Sequence, residues 1–120
     1  MWIRIAMIGV CCLGAAAAAE AGFLGTHRLP VRSGETASCI VTNVSKLARQ
    51  VSVRLIAGNT IVDADSGILQ PGQTLVAEVT AAVGQDMRCE VDVQGNKDLV
   101  RAGLRVLDAS DNLLATDAAR

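Results

Sequence analysis

The chain has no tyrosine, one phenylalanine (Phe23), one tryptophan (Trp2) and one histidine (His27) among its 120 residues. Beyond the N-terminal apolar run, Phe23 is therefore the one platform on which a sugar or an unpaired base could stack. Carbohydrate-binding modules and single-strand binders rely on several such rings, so both classes are poorly supported. Charge of one sign is lacking as well: 11 Lys+Arg face 12 Asp+Glu, a formal charge of −1. No electrostatic footprint for nucleic acid or an anionic membrane follows from that balance. What the chain does have is apolar content, at 51% too high for a disordered polymer. Its length fits one small folded domain.

The first residues read as an address. Arg4 supplies a positive charge, Ile5–Ala19 is an unbroken apolar and small run, and Ala17-Ala18-Ala19 precedes Glu20. Small residues at these positions fit a signal peptidase, which predicts a signal peptide over 1–19 with cleavage after Ala19, and Ala21 as a second site. The run is short for a bilayer span, because five of its residues are consecutive alanines. Cys11 follows Val10, where a lipid-attachment signal needs a small residue, so Cys11 and Cys12 read as leader residues. The expected address is the periplasm or the exterior, with no stable membrane insertion after cleavage.

Two cysteines outlast that cleavage, Cys39 and Cys89. An even pair in an exported domain predicts a disulfide. Closing a loop of about fifty residues stabilises the fold by roughly 4 kcal/mol on the chain-entropy estimate.

Residues 20–37 are rich in Gly, Thr, Ser and Pro30, and read as a loose N-terminal segment with a short edge strand near Leu29–Arg32. From residue 38 to 120 the pattern has period two. In Met87–Gln94 the odd positions are apolar and the even ones polar, which puts Cys89, Val91 and Val93 on one face. Similar alternation predicts about seven strands, over 38–44, 50–57, 60–64, 73–81, 87–94, 99–107 and 113–117. Turn chemistry separates them at Gly58-Asn59, Pro71-Gly72, Gly95-Asn96 and Asp108–Asn112. The fold class this predicts is all-β, a two-sheet antiparallel sandwich, immunoglobulin-like or another Greek key.

The cysteines fall on the first and fifth of these strands, and Leu69-Gln70-Pro71-Gly72-Gln73-Thr74 looks like the turn that opens the E strand of such domains. On these features residues 38–117 resemble an immunoglobulin-like or fibronectin-like bacterial sandwich, although the core tryptophan and corner tyrosine of antibody domains are missing. The whole chain resembles small exported proteins of proteobacteria in Cys39–Ser45, the Pro71-Gly72 step and Val100-Arg101-Ala102-Gly103-Leu104. That likeness implies a fold and a compartment, and no activity.

The inventory for catalysis is thin. A Ser–His–acid or Cys–His arrangement would have to use His27, which precedes the first convincing strand, and a paired Cys39 and Cys89 offer no thiolate. Zinc or copper would want converging ligands where the mature chain offers His27 and Met87. Asp63-Ala64-Asp65-Ser66-Gly67 opens like a calcium loop, but Ile68 stands where its glycine belongs and Thr74 where its glutamate belongs. It reads as a turn, as does Asp108–Asn112. Glu78, Glu90 and Asp92 alternate outward as solvated carboxylates rather than a glycosidase pair. Asn43-Val44-Ser45 matches a glycosylation acceptor, accidental in a chain with a bacterial-looking leader. No catalytic residue, cofactor or metal site is expected.

Arg54, Arg88, Arg101 and Arg105 also point outward. They form either a basic stripe or cross-strand pairs with Glu90 and Asp92, the pairs being favoured. The expected role is non-enzymatic, binding another envelope or extracellular protein through open sheet edges or outward apolar residues such as Ile40, Ile56, Val76 and Leu107. The alternative is a periplasmic protein that binds a small ligand or a metal.

Overall fold

The computed structural model describes residues 21–120. The expected leader, with Cys11, Cys12 and the Ala19 cleavage position, lies outside the described residues. Among the described residues no helix is long and apolar enough to cross a membrane. The described residues form nine strands, in order β1 (Gly22–Gly25), β2 (Leu29–Val31), β3 (Thr36–Asn43), β4 (Arg49–Ala57), β5 (Thr60–Leu69), β6 (Thr74–Thr80), β7 (Gln85–Val93), β8 (Val100–Leu107) and β9 (Leu113–Ala118). They build two antiparallel sheets. One has the order β1-β7-β4-β5, with β2 also on β7, and the other has the order β6-β3-β8-β9.

Period-two alternation sorts each strand into a core row and an outward row. Met87, Cys89, Val91 and Val93 of β7 are all buried, as are Val51, Val53 and Leu55 of β4 opposite them. Ala37, Cys39 and Val41 of β3 complete the layer with Leu104 and Val106 of β8. Among the described residues the core holds no aromatic ring. Alanine, valine, leucine and Met87 side chains fill it, and the Cys39–Cys89 disulfide crosses it from β3 to β7 with Cα atoms 5.4 Å apart. That spacing is ordinary for a cystine. The bond joins the two sheets through residues with no exposed surface.

The turns hold where sequence chemistry puts them. Gly58-Asn59 joins β4 to β5, and Gln70–Gln73 closes with the Gln73 amide donating to the Gln70 carbonyl at 3.0 Å. Gly72 sits there at φ 83°, the left-handed position that a type II turn requires after Pro71. Between β8 and β9 the Asp108 carboxylate accepts from the amides of Ser110 and Asn112, at 2.8 and 2.9 Å.

Three expectations change. The edge strand expected near Leu29–Arg32 is present as β2, but the rest of residues 21–37 is more ordered than a loose segment: β1 also pairs along β7, and β3 begins at Thr36. Thr26–Arg28 interrupts what is otherwise a single edge strand. The Asp63–Gly67 stretch is strand interior rather than turn, because pairing with β4 runs unbroken from Leu55↔Asp63 to Arg49↔Leu69. Non-local pairing overrides the local preference of Asp, Ser and Gly for turns. Ile56 is buried, at 5% exposure, where a register shift between Leu55 and Ile56 sets it opposite Ile61.

The strand order also departs from that of immunoglobulin domains. There the last strand lies beside the strand carrying the second cysteine. Here β8 lies beside β3, and β1 with β2 takes the place next to β7.

Candidate functional site

The residues that could carry chemistry are held apart or already engaged. The His27 side chain is 82% exposed, and its Nδ1 stands 3.4 Å from Asp117 Oδ2. Met87 is buried in the core. Among the described residues no three His, Cys, Asp or Glu side chains gather as metal ligands do. Glu78 lies on the outward row of the β6-β3-β8-β9 sheet, whereas Glu90 and Asp92 face outward from the other sheet. They cannot flank one substrate.

Glu90 and Asp92 answer the arginine question for one sheet. The Arg54 guanidinium donates to Asp92 Oδ2 and to Glu90 Oε1, the latter at 3.3 Å, and Arg88 Nε reaches Glu90 Oε2 at 3.4 Å. The hydrogen bond to Asp92, with the charges of both carboxylates, raises the Arg54 pKa above its ordinary value against the opposing effect of burial. This outer face is therefore internally neutralised.

The outer face of the other sheet differs. Arg101 and Arg105 project from β8 on either side of Gly103, and among the described residues neither forms an ion pair. Arg101 Nη1 donates to the carbonyls of Asp98 and Val100, at 3.2 and 3.1 Å. In Arg105's cross-strand row the Ser38 hydroxyl, fully buried, donates to Glu78 Oε2 at 2.7 Å. That leaves Glu78 engaged two strands away. Where Gly103 lacks a side chain, a shallow open depression of about 400 Å³ runs between Ile40 and Ala118, with both arginines on its rim. A Cβ on Gly103 would stand 3.0 Å from the Asp117 carbonyl, so the floor is already tight.

The sheet edges are also unequal. On the β5–β6 side, Asp63 and Asp65 occupy core-facing register positions, opposite Leu55 and Val53, on the edge strand β5. Asp63 Oδ2 accepts the Glu78 amide at 2.8 Å and so caps the edge of β6. Inward-pointing charge is a known way of blunting a sheet edge. On the β1–β9 side the sheets are joined at one corner, where Gly25 and Arg120 exchange backbone hydrogen bonds of 3.0 Å in each direction. The His27 amide donates to Asp117 Oδ2 at 2.7 Å beside it. Toward Leu113 the edges part around a cleft of about 260 Å³ lined by Pro30, Arg32, Glu35, Val106, Leu114 and Ala115. Leu113 and Leu114 are more than half exposed there.

Because the Ala119 amide donates to Ala102, alternation along an antiparallel pair turns the Thr116 amide away from β8. Among the described residues no backbone group pairs with it. The sequence holds little signal for this site, because it depends on which strand ends each sheet. The apolar residues expected to form a patch do not gather: Ile40 and Val76 are cross-strand neighbours, Leu107 lies elsewhere on that face, and Ile56 belongs to the other sheet.

Neither a family model nor a curated protein matches the chain. The crystal structure of Thermotoga maritima 1070 superposes on 82% of this chain and 91% of that one, with a TM-score of 0.56 and 10% sequence identity. At that identity the likeness is one of fold alone.

Proposed function

We propose that this is an exported, non-enzymatic β-sandwich module that binds another protein of the envelope or exterior at the β9 flank. The observation that carries this reading is the unequal treatment of edges. Asp63 and Asp65 blunt the β5–β6 side, and Asp117 with the Gly25–Arg120 pair closes the C-terminal end of β9, whereas among the described residues Leu113–Thr116 of β9 keeps an open backbone edge beside two exposed leucines. An extended segment added there gains main-chain hydrogen bonds, with side-chain pockets supplying specificity. Export is supported by the leader pattern over 1–19 and by the Cys39–Cys89 pair, a bond that persists in oxidising compartments. The bridge from β3 to β7 across the two sheets also supports an immunoglobulin-like arrangement in which the edge strands are exchanged.

The test places a photo-reactive amino acid at Thr116 of β9 in one full-length variant and at Ser66 of β5 in another. Both are produced in the native cells and examined without reductant. A discrete adduct from the Thr116 variant alone is expected, on a chain beginning at Glu20 and two hydrogens lighter than the reduced mass. Equal adducts from both positions, or none from Thr116, would overturn the edge assignment.

A further inference from the structure

Resting on the β9-edge reading, we propose that the partner segment is acidic, and that Arg105, on the rim of the depression over Gly103, receives its carboxylate. Three observations converge. The first is charge: the outer face of the β1-β7-β4-β5 sheet pairs its arginines, while Arg101 and Arg105 remain without a carboxylate. The second is relief. Thr116 and Ala118, the β9 neighbours of Arg105 and Gly103, are small, so neither screens the Arg105 guanidinium from a strand laid beside β9. The third is register. A segment paired with β9 continues the row Glu78–Ser38–Arg105–Thr116, placing one of its outward side chains two inter-strand spacings from Arg105, about 9–10 Å. An arginine and a glutamate span that distance together over a threonine.

Arg101 lies four residues along β8 in the row of Arg120, whose backbone edge is already taken by Gly25, so Arg105 is the guanidinium that an added strand reaches. A bidentate guanidinium–carboxylate bond supplies direction as well as charge. A second copy of the chain is a poor occupant. Its acidic strand β5 turns Asp63 and Asp65 to the core-facing side, and Asp63 is spent on the Glu78 amide.

Nitrogen-15-labelled, disulfide-bonded mature protein is titrated with two capped heptapeptides, one alternating glutamate with valine and one alternating glutamine with valine. The glutamate peptide is expected to bind at least about tenfold more tightly, the scale of one charge-assisted hydrogen bond. That preference is expected to fall with added salt and to vanish in Arg105→Gln. Ala118→Leu, which keeps both arginines and fills the depression from an exposed position, is expected to weaken the glutamate peptide. Equal affinity for the two peptides, an unchanged preference in Arg105→Gln, or no binding by either peptide would overturn the proposal. Equal affinities with the Thr116 amide newly protected would leave strand addition standing and remove only the acidic preference. Glutamate binding that shifts the Arg105 side chain without protecting Thr116 would remove strand addition instead. Inorganic phosphate at matched ionic strength is the control, and full displacement of the peptide by phosphate would reduce the depression to a bare anion site and sink the proposal.

Discussion

Asn43 shows how one residue closes an end of the sandwich. It is fully buried, and its side-chain amide donates to the carbonyls of Leu47 and Leu69 at 2.9 and 2.8 Å. Its Oδ1 accepts from the amide and hydroxyl of Ser45. The match to a glycosylation acceptor is thus carried by an atom that a glycan cannot reach in the folded protein. Replacing Asn43 by alanine strands two carbonyls, and a loss of about 2–3 kcal/mol is expected in urea unfolding. At the opposite extreme of exposure, Asp108 organises the β8–β9 turn. Hydrogen bonds from Asn112 first, and also from Ser110, hold its pKa below the ordinary aspartate value. A depressed folded pKa means that the turn's stabilisation is present above the unfolded value, about 3.9, and is lost as pH falls through the folded one. The Ser110 and Asn112 amide resonances are expected to hold through the ordinary aspartate range and to move toward random-coil positions only at lower pH, while core resonances hold.

At the scale of elements, period-two alternation made seven of the nine strands legible, because each buries one face. The strands it missed have no such pattern of their own. β1 begins and ends in glycine and β2 contains Pro30, and they exist because β7 offers its edge. The second half of β5 stayed hidden for the same reason, since Asp, Ser and Gly argue for a turn until β4 lies alongside. Whereas Arg88 reaches Glu90 along its own strand, the cross-strand pairing of Arg54 was readable as a tendency. The freedom of Arg101 and Arg105 was not, because it depends on strand order, which no local pattern encodes. The disulfide is the bond between elements whose removal is most instructive. Unfolding with and without reductant is expected to differ by about 4 kcal/mol. The capped edge gives a second outcome: Asp63→Ala uncovers the Glu78 amide on β6, and sedimentation is expected to show concentration-dependent association that the parent protein lacks.

At the scale of the whole molecule, the two sheets divide their roles. The outer face of the β1-β7-β4-β5 sheet spends its charges on itself, through Arg54, Arg88, Glu90 and Asp92. Among the described residues the outer face of the other sheet keeps Arg101 and Arg105 without ion pairs, Arg105 beside the stretch of edge that remains open. Charge, relief and backbone accessibility therefore meet along β8 and β9, while the opposite flank is closed by aspartates. The measurement that tests this most directly is amide hydrogen exchange along β9, in the isolated mature protein and then with its photo-captured partner bound. The Thr116 amide is expected to exchange far faster than those of Ala115 and Asp117, which face β8, and to become protected in the complex. A Thr116 amide already protected in the monomer, or still exchanging freely in the complex, would contradict a β9-edge interface.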